Sequence, residues 1–349
     1  MSSDKVRFAI DGCGGIATAH AKAISELPEA ELVAGCDIVP ERARAFAEEW
    51  KCDAYEDYGA MLARDDVQVV NVCTPSGLHA EQGAAAAEAG KHVITEKPVD
   101  VVLAKVDRLI EVAEKKGVKA ACIFQHRFDR DARRLKAALD EGRFGQPLFC
   151  NASIKWYRAQ SYYDSDDWRG TWKLDGGVLS NQAIHYLDQV VWLMGDVAEV
   201  TFAEIASRER AIEAETIGQA TVRFKNGAWG SIQGSTLTWP GLPTRIEVCG
   251  TTGAAVLEGD KLVFYRTEGE EEPVGARHAL PVLPGGASAA SADPAIAALR
   301  GHDAQIADFI AALREDRDPY VTAREARRSL ALLTDIYRKA TGRAMLGEG

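Results

Sequence analysis

The feature that most constrains the fold is the alternation of short apolar runs with helical patterns over the first 125 residues. The apolar runs predict strands at 6–10, 31–36, 52–55, 67–73, 92–95 and 119–124. The helical patterns between them lie near 16–27, 41–50, 58–64, 78–90 and 101–117. Strand–helix alternation of this kind is typical of a parallel, doubly wound sheet. Six strands suit the order 3-2-1-4-5-6, in which ligands bind beyond the carboxyl ends of the strands.

The pattern changes after Gln125. Helices are predicted near 130–141 and 178–194, and β-like runs near 148–157, 199–206, 218–224, 228–235, 245–249, 254–258 and 261–265. Asn226-Gly227 lies between two of these runs and indicates a tight hairpin. Residues 267–300 predict a mobile loop, and helices near 303–314 and 323–341 end the chain. The sequence thus predicts an α/β protein with a parallel-sheet domain, 1–125, and an α+β domain with a large, mostly antiparallel sheet, 126–349.

Bulk properties exclude several classes of partner. A net charge of −11 argues against nucleic acid, because phosphate binding needs a basic surface. No apolar run reaches ~18 residues, so no membrane span is expected, and the first residues lack the pattern of a secretory signal. The seven cysteines form no C-x-x-C pair, which favours reduced thiols in a cytoplasmic protein. The histidines show no metal-ligand spacing, so no metal is predicted.

A glycine-rich turn joins the first predicted strand to the first helix. It fits G-x-G-x-x-A and comprises Gly12, Gly14, Gly15, Ile16 and Ala17. Glycines let the backbone approach a pyrophosphate, and the helix N-terminus offers free N–H groups. Asp37 ends the second strand, where its carboxylate would accept hydrogen bonds from ribose hydroxyls and repel a 2′-phosphate. The first domain is therefore predicted to be a Rossmann domain that binds NAD in preference to NADP.

Three further strand ends should reach the same crevice. The residues there with candidate roles in cofactor binding are Thr74, Pro75 and His79 after the fourth strand, Glu96 and Lys97 after the fifth, and Gln125 after the sixth. Lys97 is the side chain expected to take part in proton transfer near the nicotinamide ring. The bond between Lys97 and Pro98 is a candidate cis peptide.

The stretch from 162 to 188 reads YYDSDDWRGTWKLDGGVLSNQAIHYLD. Asn181, His185 and Asp188 recur at spacings of four and three, so a helix would place them on one face. Polar groups on one face can orient a substrate hydroxyl and take its proton, and a histidine with a reference pKa of ~6.5 can accept it near neutrality. Asp188 would fix the tautomer of His185 or pair elsewhere.

Together these motifs resemble the glucose–fructose oxidoreductase / inositol dehydrogenase family, often called Gfo/Idh/MocA, over nearly the whole chain. The likeness is carried by GCGGIA at 12–17, CTPSGLH at 73–79, TEKP at 95–98 and GG…NQAIHYLD at 176–188. It implies that Lys97 and His185 are a catalytic pair that meets over a bound NAD, in a homodimer or homotetramer. Many members have Asp where this chain has Asn181. Because Asn cannot titrate, proton handling would rest more heavily on His185 and Lys97.

Within the family, the chain resembles the UDP-N-acetyl-2-amino-2-deoxyglucuronate 3-dehydrogenases through YYDS…WRGTW…DGG…NQ…HY.D. This resemblance implies oxidation of the C3′ hydroxyl of a UDP-sugar. The substrate-binding residues would be Arg158, Tyr163, Trp168, Arg169 and Thr171, together with Asn181 and Asp188. Two alternatives stay open: a dehydrogenase or ketoreductase of free sugars, glycosides or inositol, and a non-catalytic dinucleotide-binding regulator.

Overall fold

The computed structural model describes residues 5–269 and 301–343, which divide into two units. Of the described residues, the first unit contains 5–125 and 301–327, and the second contains 126–269 and 328–343. The N-terminal part of the first unit ends at Gln125. Residues 301–327, which the sequence-based division assigned to the second domain, lie in the first unit. The mobile loop predicted at 267–300 falls outside the described residues from 270 onward.

The first unit is built on a six-stranded parallel sheet. Its strands are β1 Val6–Asp11, β2 Ala30–Cys36, β3 Asp53–Tyr55, β4 Val69–Val72, β5 His92–Thr95 and β6 Ala120–Cys122. Its order is β3-β2-β1-β4-β5-β6, so the predicted doubly wound topology is confirmed. The intervening helices are α1 Gly15–Glu26, α2 Pro40–Trp50, α3 Tyr58–Leu62, α4 His79–Glu88 and α5 Leu103–Lys116. Every residue of β4 is buried, as expected for a strand covered on both faces.

A helix from the C-terminal part of the sequence completes the core of this first unit. Helix α9, His302–Arg314, inserts Ile306 and Phe309 into the same apolar cluster as Phe8 of β1 and Ile24 of α1. These side chains are almost fully buried. Burial of apolar surface stabilises a folded protein by roughly 25 cal/mol per Å². The buried side chains of α9 therefore add to the stability of the first unit.

The second unit contains a seven-stranded sheet in the order β13-β12-β11-β7-β10-β9-β8. Its strands are β7 Pro147–Lys155, β8 Val197–Ala206, β9 Ile217–Phe224, β10 Trp229–Ser235, β11 Arg245–Gly250, β12 Gly253–Glu258 and β13 Lys261–Thr267. Strands β7 and β10 pair in parallel and the other neighbours are antiparallel, which confirms the mostly antiparallel prediction. Its helices are α6 Arg130–Asp140, α7 Gln160–Tyr163 and α8 Ile184–Met194, and α10 Ala323–Thr341 belongs to this unit from Arg328 onward. Within residues 5–269 and 301–343, each helix is too short or too polar to cross a lipid bilayer.

Helix α8 begins at Ile184, six residues later than the predicted start at 178. The preceding residues form consecutive turns, in which the backbone N–H of Ala183 donates to the carbonyl of Val178, five residues earlier, at 2.8 Å. The backbone N–H of Val178 donates to the carbonyl of Glu215 at 2.9 Å, and that of Leu179 donates to Glu215 Oε1 at 2.9 Å. Asn181 therefore precedes the helix, and its predicted place on one helical face with His185 is wrong.

Glu215 is the buried group that fixes this turn. Its Oε1 also accepts a hydrogen bond from the hydroxyl of Tyr337 at 2.8 Å. A Cβ at Gly177 would lie 2.1 Å from both the carbonyl oxygen and Oε2 of Glu215, so only glycine fits there. Burial raises the pKa of Glu215 to about 7, against the opposing hydrogen bonds from Leu179 and Tyr337.

We expect Glu215 to make stability fall with rising pH. Its pKa rises from 4.5 to about 7 on folding, so the folded state binds more protons between these values. The contribution is complete below pH 4.5 and is lost as pH rises through 7, by up to about 3 kcal/mol. Urea unfolding from pH 5 to 8 should show a smaller decline for Glu215→Gln than for the wild type. Glu213→Gln, at an exposed neighbour, is the control, and an equal decline in all three proteins would contradict the assignment.

Candidate functional site

The glycine-rich turn after β1 is shaped by a close backbone approach. Gly12 has φ +88°, and a Cβ there would lie 2.8 Å from the backbone of Cys73 and Thr74. The Gly12 N–H donates to the carbonyl of Cys36 at 2.8 Å. Gly12 is therefore required by the packing of the turn between the ends of β2 and β4.

Gly14 and Gly15 have a different reason to be glycine. A Cβ at either position would meet no described atom within 4 Å, so internal packing does not demand the small residue. Gly14 caps α1 without a side-chain hydrogen bond. Ala17 is fully buried and Ile16 packs against the core, which anchors the first turn of the helix. This combination leaves room and backbone N–H groups for a pyrophosphate, so the turn fits the dinucleotide.

Asp37 lies beside this turn, directly after β2. Its Oδ2 accepts a hydrogen bond from Cys13 N at 2.9 Å and its Oδ1 accepts one from Val39 N at 2.8 Å. A carboxylate has about four acceptor sites, so two such bonds leave capacity for ribose hydroxyls. The side chain thus orders the glycine-rich turn as well as carrying the charge expected to select NAD.

Asp11, the last residue of β1, was missed by the sequence analysis. It is 5% exposed, and burial, reinforced by the charge of Asp37, raises its pKa to about 7. The apolar run before the glycines gave no sign of a second acid, because its carboxylate approaches Asp37 only through strand pairing.

His79 joins two of the strand-end loops. Its Nδ1 lies 2.7 Å from the carbonyl oxygen of Pro98 and its Nε2 lies 2.7 Å from that of Thr74. The Lys97–Pro98 peptide bond is cis, as the sequence suggested. Thr74 and Pro75 precede a short 3-10 turn, and Gln125 is buried beside Gly301. Both ring nitrogens of His79 thus contact backbone carbonyl oxygens. The predicted cofactor roles of these residues stay predictions.

Glu96 is the centre of a buried cluster that the sequence analysis did not find. His20 Nε2 and His302 Nε2 each lie 3.0 Å from Glu96 Oε1. The three residues are buried, and their candidate ligand atoms lie within 4.8 Å of one another. Separations of 76 and 206 residues along the chain hid the cluster, since no local pattern connects its members.

In the second unit, Asn181 contacts a buried acid. Its side-chain amide donates to Asp175 Oδ1, and its Oδ1 accepts from Gln182 Nε2 at 3.1 Å. Asp175 also accepts from Gly170 N at 2.8 Å. The amide orientation of Asn181 is thereby set by Asp175, a residue that the sequence analysis named only as part of a motif.

His185 lies in the first turn of α8 and is 7% exposed. Its ring packs edge-to-face on His126, with centroids 5.2 Å apart. Asp188 is bound by Arg127, whose Nε and Nη2 donate to its two oxygens at 2.7 Å each. The pair is buried, so Asp188 has a structural partner in Arg127, and its predicted contact with substrate stays a prediction.

The remaining predicted substrate residues form an aromatic and cationic cluster. Arg158 stacks over Trp156 and Tyr162, with distances of 5.2 and 5.4 Å from its Cζ to the ring centroids. Arg169 stacks over Tyr162 and Trp168 at 4.6 and 4.7 Å.

The other contacts of this cluster are internal to the chain. Arg169 also pairs with Asp166 at 3.3 Å. The hydroxyl of Tyr163 donates to Thr236 at 3.0 Å, and that of Thr171 donates to the carbonyl of Trp168 at 2.7 Å. The geometry therefore gathers five of the seven predicted substrate residues, Arg158, Tyr163, Trp168, Arg169 and Thr171, into one segment of the second unit.

Lys97 lies in the first unit and His185 in the second. The prediction that the two act on one substrate oxygen stays a prediction.

Two family models match the chain. Residues 6–124 match an oxidoreductase family with an NAD-binding Rossmann fold, and residues 132–256 match the GFO/IDH/MocA C-terminal domain. The chain belongs to the GFO/IDH/MocA family. The resemblance seen in the sequence is thus confirmed, and this member of the family is an NAD-binding oxidoreductase.

Several characterised proteins are similar to this GFO/IDH/MocA member. The myo-inositol 2-dehydrogenase of Thermotoga maritima is 33% identical over 253 residues, which cover 71% of this chain and 74% of that protein. The D-glucoside 3-dehydrogenase of Escherichia coli is 29% identical over 243 residues, 67% of this chain and 68% of that protein. The WlbA dehydrogenases of Bordetella pertussis and Chromobacterium violaceum, solved with NADH and UDP-GlcNAcA, each have 34% identity and a TM-score of 0.85. The former covers 96% of both chains, and the latter 98% of this chain and 96% of its own.

We expect Asp37→Ala to weaken NAD binding by about 10- to 100-fold, because charge-assisted hydrogen bonds to ribose are lost. Preference for NAD over NADP should shrink as well, since repulsion of the 2′-phosphate disappears. Fluorescence titration with each cofactor measures both effects. Asp57→Ala, which removes the cap of α3, is the control and should leave both affinities unchanged. An unaltered preference in Asp37→Ala would mean that the ribose is read elsewhere.

Proposed function

We propose that this chain oxidises a ring hydroxyl of a nucleotide sugar, the C3′ hydroxyl of a UDP-N-acetylglucosaminuronate-type substrate, with NAD as oxidant. The similarity to the two WlbA dehydrogenases supports this substrate class, because it extends over nearly the whole chain at 34% identity. The relatives named for inositol and glucosides are matched over about two thirds to three quarters of their length.

The observation that carries the proposal is the buried guanidinium of Arg158. Arg158 is 8% exposed, its Nη1 donates to the carbonyl of Tyr157 at 3.0 Å, and among the described residues it forms no ion pair with a carboxylate. Burial lowers the pKa of Arg158, which reflects the cost of keeping the charge there. A buried charge is normally paired, so an anionic group of the substrate is the natural partner. A UDP-sugar uronate offers both a pyrophosphate and a carboxylate.

The aromatic rings around Arg158 and Arg169 suit the remainder of such a substrate. Both guanidinium groups stack on Tyr162, and Trp156 and Trp168 provide a second ring for Arg158 and Arg169 respectively. Aromatic faces stack on bases and on the apolar faces of sugar rings. A free polyol would use neither the cations nor the extended aromatic surface.

The glycine-rich turn after β1 and Asp37 would hold NAD+, which would supply the hydride acceptor for the carbon that carries the hydroxyl. We assign removal of the hydroxyl proton to His185, whose imidazole can accept a proton near neutrality. Lys97 is assigned to hydrogen-bond the same oxygen and stabilise the negative charge that develops on it. Asn181, oriented by Asp175, would hold a neighbouring hydroxyl and cannot compete for the proton.

A second candidate is oxidation of a free polyol or glycoside, which the inositol and glucoside dehydrogenase relatives favour. The deciding experiment measures growth of absorbance at 340 nm with NAD+ and a panel of substrates. UDP-GlcNAcA and related UDP-sugars are compared with free N-acetylglucosaminuronate, glucose, a glucoside and myo-inositol. Turnover confined to the UDP-linked compounds would support the proposal, and preference for a free polyol would contradict it.

We expect Lys97→Ala to lower turnover by at least ~100-fold while NAD binding persists, because the group that stabilises the oxyanion is lost. Steady-state kinetics and a fluorescence titration with NAD measure the two effects. Lys116→Ala, which removes a lysine paired with Glu88 on the helical surface, is the matched control. Near-normal turnover in Lys97→Ala would end its assigned role.

The proposal includes self-association of the chain. The sheet of the second unit exposes large apolar side chains, including Phe149 and Trp229, which are 50% and 46% exposed and pair in register on β7 and β10. Adjacent aromatic side chains of this exposure favour contact with another protein surface. We expect a homodimer or homotetramer by light scattering, and a monomer at micromolar concentration would contradict this.

A further inference from the structure

The Glu96 cluster, composed of Glu96, His20 and His302, was not predicted and is not used in the proposed chemistry. His20 comes from α1, Glu96 follows β5 and His302 begins α9, so the cluster joins three elements of the first unit. The exposed fractions are 0% for His20, 4% for Glu96 and 2% for His302. Titratable groups this deeply buried are costly unless their charges and hydrogen-bonding atoms are paired.

The hydrogen-bond directions follow from the donors available. Asn71 Nδ2 donates to His20 Nδ1 at 2.8 Å, so the proton of His20 resides on Nε2, which then donates to Glu96 Oε1. His302 Nε2 faces the same oxygen and must also carry a proton, since two lone pairs would repel. Glu96 Oε1 therefore accepts two hydrogen bonds.

The second carboxylate oxygen of Glu96 contacts the next residue in the chain, Lys97. Glu96 Oε2 accepts a hydrogen bond from the backbone N–H of Lys97 at 2.9 Å. The carboxylate thus folds back on the next peptide unit, whose φ and ψ determine where the Lys97 side chain starts. Without its two histidine donors, the carboxylate could rotate and release this N–H.

The charge state agrees with these contacts. Burial works against the ionised form of Glu96, but hydrogen bonds from His20 and His302 outweigh it and hold the pKa of Glu96 well below its usual range. Burial lowers the pKa of His20, with the bond to Glu96 opposing this shift, so His20 stays a neutral donor. An ionised carboxylate forms shorter and stronger hydrogen bonds than a neutral acid, which suits a positioning role.

We propose that His302 and His20 are positioning residues that act through the Glu96 carboxylate to fix the backbone at Lys97. The inference rests on the proposed function of Lys97, and it extends the cofactor-binding unit beyond the residues matched by the NAD-binding family model. His302 is the informative member, because it lies 205 residues from Lys97 and outside the matched range of 6–124.

The test compares two substitutions of His302 that differ in side-chain length. In His302→Gln the side-chain N–H2 occupies nearly the position of Nε2 and can still donate to Glu96, whereas in His302→Asn it is too short. Phe309→Leu is the control, because Phe309 is buried on the same helix, seven residues after His302, and is apolar, so it cannot donate a hydrogen bond to Glu96. Stability of each variant is measured by urea unfolding, so that loss of folded protein is separated from loss of function.

We expect His302→Asn to lower kcat by ~10- to 100-fold with little change in KM for NAD, because a displacement of about 1 Å at a reacting group has this effect. His302→Gln should recover to within about threefold of the wild type, and Phe309→Leu should keep its kcat per folded molecule. Amide hydrogen exchange read by mass spectrometry should accelerate at Lys97 in His302→Asn alone.

Equal kcat losses in His302→Asn and Phe309→Leu, or unchanged exchange at Lys97, would overturn the proposal. One equivalent of zinc in the purified protein, whose removal abolishes turnover, would also overturn it, because the cluster would then be a metal site. If the wild type oxidises no sugar, the proposed function fails, whereas the exchange measurement still reports on the network.

Discussion

One buried carboxylate, that of Glu96, connects three elements of the cofactor-binding unit by hydrogen bonds. Glu96 accepts hydrogen bonds from α1, from the start of α9 and from the residue that follows it in the chain. Its own backbone N–H donates to Val72 in β4 at 2.9 Å, so the strand end and the side chain are fixed together. A charge this deeply buried is tolerated because both carboxylate oxygens accept hydrogen bonds, two at Oε1 and one at Oε2. Changes on α9, far away in sequence, therefore reach the loop that carries Lys97.

Each unit contains a buried glutamate, and the pKa values of the two are shifted in opposite directions. Burial raises the pKa of Glu215 to about 7, while hydrogen bonds hold the pKa of Glu96 well below its usual range despite equal burial. Glu96 has two imidazole N–H donors and a backbone N–H. Glu215 has one backbone N–H and one hydroxyl, and its Oε2 has no hydrogen-bond partner among the described residues. Donor number and type, and not burial alone, decide which carboxylate remains ionised at neutral pH.

Local pattern predicted the strands, their order and the glycine turn, because periodicity and turn chemistry act over a few residues. It failed where a distant side chain decides the outcome. Residues 178–183 read as helix, yet they form turns beside Glu215, which accepts two of their backbone N–H groups, and α8 begins only at Ile184. The sequence left open whether Asp188 orients His185 or pairs elsewhere, and its bidentate partner Arg127 lies 61 residues away. The Glu96 cluster and the place of α9 in the first unit depend on contacts across about 200 residues, which no window of sequence contains.

The amide of Asn181 is suited to its neighbour Asp175. Asp175 supplies a buried acid within hydrogen-bond reach of residue 181. Two carboxylates at this separation could not both ionise without strong repulsion. An amide resolves the conflict, since its N–H2 donates to Asp175 and its oxygen faces another donor, Gln182. Asn181 can therefore orient a hydroxyl but cannot take its proton, which leaves the imidazole of His185 as the titrating group that this segment contributes to the proposed reaction.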